Sequence, residues 1–197
     1  LLVAIIFVII VLNVFNIDYD SYYASADNLS YLLTPATVCL AIPLYQQIEQ
    51  LKKHKGAIFA GITAGVLTSL CTVWLLSSLF QLTHEEHVTL LPKSITTPIA
   101  MEVSSHLGGI PAVTAVGVIV AGLQGSVFGY LILKKLGIKQ EEAVGLSVGA
   151  VSHALGTVSC MEADPKAGSY SSISLVLCGI MSSILAPLVF HVIRLFL

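Results

Sequence analysis

"ITTPIAMEVSSHLGGIP", Ile95 to Pro111, decides how this chain folds. Glu102 and His106 stand there in a stretch, Ser94 to Leu133, that is otherwise uncharged. Thr97-Pro98 reads as a helix start, because threonine can cap and proline suits the first helical position. Gly108-Gly109, then Pro111, stop that helix. About nine to eleven residues remain between, and at 1.5 Å per residue they reach only about half-way through a bilayer. A helix of this length cannot make a full crossing, and is read as a re-entrant hairpin or a broken helix. Its N-terminus then lies at depth, with free amides, the positive end of the helix dipole, and the hydroxyls of Thr96 and Thr97 beside it. That combination holds an anion without needing a lysine or arginine.

The rest of the chain supplies the apolar surroundings. Of 197 residues, 56% are apolar and only 10% are charged, and the mean hydropathy is +0.92. A soluble domain carries roughly 25% charged residues, so most of this surface must face lipid. Uncharged windows run over Leu29–Ile48, Gly56–Thr83, Ser94–Leu133 apart from Glu102 and His106, and Ala167–Phe190. A spanning helix needs about 20 such residues. The class is therefore all-α, a polytopic membrane helix bundle forming one domain over residues 1–197. The opening "LLVAIIFVIIVLNVF" lacks the basic start and cleavage site of a signal peptide. It reads as the end of a span, with an N-terminal part expected to be missing.

Charge placement orients the chain. "KKHK" (Lys52 to Lys55) and the cluster Lys134, Lys135 and Lys139 are read as cytoplasmic by the positive-inside rule. "NIDYDSYYASADN" (Asn16 to Asn28) reads as an acidic external loop with interfacial tyrosines, followed by a span across Leu29–Tyr45 interrupted by Pro35 and Pro43. "HEEH" (His84 to His87) reads as a second external, solvated loop. Gly56–Phe80 and Ile110–Leu133 then cross in opposite directions, which leaves Pro92–Gly109 to start and finish outside. Glu141–Ser159, between the lysine cluster and "MEADPKAGS", meets the same constraint from the inner face. A last span covers about Tyr170–Leu197.

The two short segments share a Ser-His-x-x-Gly pattern, Ser105-His106-Leu107-Gly108-Gly109 and Ser152-His153-Ala154-Leu155-Gly156. Paired, interrupted hydrophobic segments in corresponding places point to a transporter built from inverted repeats. Glu102 and His106 are four apart and share a helix face. Ionisable groups at that depth pair, protonate or face water, and they usually serve function. The pair is accordingly a candidate to carry a proton beside a bound anion, the bland alternative being a structural hydrogen bond. Gly145, Gly149 and His153 form a stripe that presses the histidine onto a neighbouring helix, and Gly156-Thr157 supplies a break. Gly61-x-x-x-Gly65 and Gly125-x-x-x-Gly129 read as helix-packing signals. Cys39, Cys71, Cys160 and Cys178 show no CxxC spacing and read as small core side chains. "HEEH" lacks the HExxH spacing of a zinc site. With no basic patch, phosphate loop or nucleophile motif, the sequence suggests no nucleic acid partner, metal, cofactor or enzymatic activity.

At "LLPKSITTPIAMEVSSHLGGIPAVTAVGVIVAGLQGSVFG" (Leu90–Gly129) and "GLSVGAVSHALGTVSCMEADPKAGSYSSISLVLCGI" (Gly145–Ile180), the chain closely resembles the LrgB/CidB family. The likeness reaches back through "TPATVCLAIPLY" (Thr34–Tyr45). It implies a multi-pass protein of the bacterial inner membrane, often paired with a small membrane partner of the LrgA/CidA type. The family is commonly described as holin- or antiholin-like, modulating murein hydrolases and autolysis. Relatives are linked to transport of monocarboxylates such as glycolate or pyruvate. Physics favours a carrier for small organic anions, expected to be proton-coupled, since a lesion-forming holin has no use for capped half-helices; a homo-oligomer is the expected form. In that reading Thr96, Thr97, Pro98, Ser105, Ser152, Gly156 and Thr157 bind substrate, and Glu102, His106 and His153 handle the proton.

Overall fold

The structure, a computed structural model, describes residues 2–32, 35, 38–39 and 41–194. The span expected across Leu29–Tyr45 falls partly outside the described residues, as do the last three residues of the span expected over Tyr170–Leu197. Two compact units are present, Leu1–Cys39 and Leu40–Leu197.

The first unit holds α1 (Leu2–Val14), apolar except for Asn13, and α2 (Tyr19–Ser30). The expected acidic loop at Asn16–Asn28 is thus mostly helix. Asp18 caps it by accepting a hydrogen bond from the Asp20 amide at 3.1 Å, and Tyr19 stacks on Tyr23 one turn later, both local devices that favour helix.

The second unit begins with two short helices, α3 (Ala41–Gln46) and α4 (Ile48–Lys53), and the long helix α5 (Lys55–Leu79). One stripe of α5, Ile58, Ile62, Val66, Leu70, Val73 and Ser77, is buried. Phe59, Leu67, Leu75 and Leu76 on its other sides are exposed. A helix apolar all round with one packed stripe is what a lipid solvent allows and water does not.

The first hairpin follows. "HEEH" is not a loop but the start of α6 (His84–Leu90), because Thr83 and Glu86 form a capping box. The Glu86 carboxylate accepts from both the backbone N–H and the hydroxyl of Thr83, each at 2.8 Å. These bonds hold its carboxyl below the ordinary value, the backbone one contributing most. After a tight turn over residues 91–96 comes α7 (Thr97–His106), ten residues long, ended by Gly108 at φ 83°. Buried hydroxyls tie the two arms to the next span: Thr114 donates to the Thr89 carbonyl (2.8 Å) and shares a hydrogen bond with the Ser104 hydroxyl (2.7 Å), and the Ile110 amide donates to the Thr89 hydroxyl (2.8 Å).

The span α8 (Pro111–Lys135) contains a π turn at Gly125–Gly129. Beyond it, α9 (Glu141–Ala163) and α10 (Pro165–Arg194) close the fold. By length and composition α9 is one of four described helices able to cross a membrane, yet it does not run straight. His153 adopts φ 41°, ψ −143°, and the chain reverses there. A straight helix of 23 residues would hold its ends about 35 Å apart. Instead Lys166, just past one end, lies 3.6 Å from Glu141 at the other. Gly145 and Gly149 face the backbone of Ala167 and Ser171, while Thr157 and Gly168 meet Ser171 and Met161 in the opposite sense. The break lies at His153 rather than at the expected Gly156-Thr157, which are helical.

Glu141–Ala163 is therefore a second re-entrant hairpin. Span and hairpin occur twice, α5 with α6–α7 and α8 with α9, and the second pair runs in the opposite sense. The ends agree with this: His54 and Tyr170 approach at one end of the bundle, His84 and Phe190 at the other. Among the described residues there are no strands, and the protein is an all-α, multi-pass membrane helix bundle.

Candidate functional site

Both hairpin tips reach the same level of α8. Lys93 of the first lies against Gly117, and His153 of the second bonds the Val118 carbonyl. These α8 residues lie six and seven positions after Pro111, about 10 Å into the bundle.

At the first tip, Thr96 is the N-cap of α7, one residue before the expected start, and Pro98 stands in the first turn. The Thr96 side chain does not cap the helix, and its buried Oγ1 has no hydrogen-bond partner. A buried hydroxyl left unpaired costs about 1–3 kcal/mol. Thr97 and Pro98 are half-buried beside it. Ser94 and Ser69 of α5 share a hydrogen bond of 2.8 Å. Together with Val66, Leu91, Ile95 and Ala150 they line a cavity of about 10 Å³, room for one water. Ala150 belongs to the second hairpin, so elements of both meet there.

At the second tip Ser152 is fully buried, and its Oγ also lacks a partner. It presses on Gly125 of the π turn, and His153 on Gly122, where a methyl group on either glycine would collide. His153 Nε2 lies 2.7 Å from the Val118 carbonyl oxygen; only a protonated Nε2 can donate to it, which leaves Nδ1 free in the neutral ring. The Thr157 hydroxyl donates to the His153 carbonyl (2.9 Å) and shares a hydrogen bond with Ser171 (2.8 Å). Gly156 packs on Ser152. Ser159 donates to the Ser126 carbonyl at 2.9 Å, binding the returning arm to the π turn.

Glu102 and His106 do pair, Nε2 to Oε1 at 3.1 Å, but they are not buried as expected. Their side chains are 73% and 76% exposed, and Ser105 between them is exposed too. The inward face of α7 is taken by Ala100, Val103 and Ser104, so helical spacing turns 102, 105 and 106 away. His106 ends the helix, about 14 Å along the axis from Thr97. The Ser-His echo is consequently not an equivalence: Ser105-His106 closes the outer end of the first hairpin, whereas Ser152-His153 forms the tip of the second.

Sequence reasoning missed the hydroxyl set of Thr89, Ser104 and Thr114, ordinary residues that only folding assembles. It also missed Lys93, whose signal was its position as the sole cation between His87 and His106. Of the cysteines, Cys160 and Cys178 are buried as expected, whereas Cys39 and Cys71 are exposed, outside the packed stripes.

Residues 1–192 match the LrgB-like family. The chain is 59% identical over 186 residues to an uncharacterized protein of Haemophilus influenzae, covering 94% of this chain and 80% of that one. It is 38% identical over 186 residues to the "Holin-like protein CidB" of Staphylococcus epidermidis, covering 94% and 81%. With YxaC, an uncharacterized protein of Bacillus subtilis, identity is 37% over 190 residues, covering 95% and 83%. No solved structure matches. Through this similarity along nearly the whole chain, the protein belongs to the LrgB-like family.

Proposed function

We propose that this chain is a carrier for small organic monoanions, of the size of pyruvate or glycolate, coupled to protons. The observation that carries this reading is the unpaired, buried Thr96 hydroxyl at the uncapped N-terminus of a half-helix. Free amides, dipole and hydroxyl there would accept a carboxylate without further desolvation. Two oppositely directed hairpins whose tips meet at one level suit a site reached alternately from either side. In this reading Thr96, Thr97 and Pro98 bind the anion, and Ser152, Gly156 and Thr157 support it from the second hairpin. His153, with Nδ1 free, takes the proton at depth. Glu102 and His106, exposed at the outer end of α7, pass protons at the mouth, with Ser105 beside them, rather than at the anion. The working form is a homo-oligomer, with a small LrgA/CidA-type protein as membrane partner.

A second reading, a holin-like protein modulating murein hydrolases, is favoured by the name of the Staphylococcus epidermidis relative. Proteoliposomes decide between them: uptake of labelled pyruvate or glycolate is measured with and without a pH gradient, with encapsulated dye as the leak control. Saturable uptake with the dye retained is the expected result. Dye loss without saturable uptake would establish a pore and end the carrier reading.

A further inference from the structure

We propose that Lys93 is the positive counter-charge of the anion site at the first hairpin tip, which makes that site selective for a single negative charge. The proposal rests on the carrier reading and deepens it.

Lys93 lies in the turn between α6 and α7, half-buried against Gly117 of α8. Its Nζ is 3.5 Å from Ser94 Oγ, which is itself bonded to Ser69 across the small cavity. Among the described residues no carboxylate lies within salt-bridge distance of it. The two ion pairs present are Glu102–His106 and Glu141–Lys166, and Glu86 is occupied by its capping box. A partly desolvated ammonium inside a membrane bundle, without a counter-ion, is a costly arrangement. Three positions on, the buried Thr96 hydroxyl is unpaired as well. Both missing partners are of one kind: the lysine lacks a negative charge, and the threonine lacks a group to receive its hydrogen.

These donors come from one short run, Lys93-Ser94-Ile95-Thr96, that leads into the N-terminus of α7. A carboxylate held by this run would offer a counter-charge to the ammonium and an acceptor to the orphaned hydroxyl and the free amides. One lysine cancels one charge. A monocarboxylate therefore leaves the site neutral, while a dicarboxylate would bring a second, uncompensated charge into it. The proton-handling groups at Glu102 and His106 are then not needed to neutralise the bound anion.

The test uses the full chain, purified and reconstituted. Pyruvate is expected to raise the melting temperature of the wild type and to be taken up saturably. Lys93→Met should melt no lower than the wild type without pyruvate, since an unpaired charge has been removed. It should lose the pyruvate-dependent shift and show at least a tenfold higher KM. Malonate should compete with pyruvate at least tenfold more weakly than glycolate does. Independently of any variant, pyruvate should slow acetylation of Lys93 several-fold, read by mass spectrometry, while Lys52 and Lys134 react unchanged. If acetylation of Lys93 is indifferent to pyruvate, or Lys93→Met keeps the wild-type KM, the counter-charge assignment falls and the carrier reading survives. Equal competition by malonate overturns the one-charge selectivity. A wild type with neither uptake nor a pyruvate shift overturns both.

Discussion

His153 offers a test of the second hairpin in which the sign of the answer matters more than its size. In a helix interior, glycine is less stable than alanine by about 1 kcal/mol. At φ 41°, ψ −143° the order inverts, because a side chain there is strained by about 1–3 kcal/mol and glycine is not. Both His153→Gly and His153→Ala lose the bond to the Val118 carbonyl and the packing on Gly122, so those losses cancel in the comparison. The glycine variant should therefore be the more stable by about 1–3 kcal/mol, although both fall below the wild type. The assay is thermal unfolding of the two purified variants in the same detergent, followed by size-exclusion to count the surviving fold. If His153→Ala proves more stable by about the 1 kcal/mol of an ordinary helix site, residues 141–163 form a continuous span and the reversal is wrong.

Other measurements probe the remaining features. Thr96→Val keeps shape while removing an unpaired buried hydroxyl; the ligand-free protein should gain up to about 1–3 kcal/mol in unfolding experiments, and pyruvate should bind more weakly. Single cysteines placed at Gln140 and Lys166, which flank the folded-back helix, should react with an impermeant thiol reagent from the same side of oriented vesicles; labelling from opposite sides would contradict the hairpin. The Glu86 carboxyl is held low by its Thr83 hydrogen bonds, so its contribution to α6 is present above the unfolded carboxylate pKa and is lost as pH falls through the lower folded value. Amide protection at residues 84–87, corrected for the intrinsic pH dependence of exchange, should fall over that acidic range, and Thr83→Ala should lower it already at neutral pH, by a cap worth about 1 kcal/mol.

Much of the architecture was legible in residue types because it depends on chemistry acting within a turn or two. Thr97-Pro98 and Gly108-Gly109 set the limits of α7 almost to the residue, since a proline in the first turn and a glycine at positive φ act on their own backbone. The charges that flank the second hairpin require it to enter and leave on one side, yet they do not fix its turning point. Nothing in a histidine favours φ 41°, and Gly156 looked the better breaker. The strain at His153 is offset by the fit of Ser152 and His153 against Gly122 and Gly125, residues about thirty positions away. The matching Ser-His pairs mislead for the same reason, as stretches sharing one Ser-His-x-x-Gly pattern are carried to opposite ends of their hairpins.

What the sequence by itself determined, then, was the solvent and the punctuation: a lipid-facing chain, which stretches can cross, which cannot, and on which side the lysines stay. These follow from transfer energies and backbone preferences, which each residue carries wherever it stands. The tertiary structure alone decided that Glu102 and His106 turn outward and, among the described residues, that Thr96 and Ser152 are buried without partners and that Lys93 has no carboxylate beside it. In a bilayer, apolar side chains gain little by leaving lipid for protein, so helix contacts are set by close-fitting small residues and polar groups. Which polar group is satisfied, and which is left open, is therefore a property of how distant segments pack rather than of any one stretch of sequence.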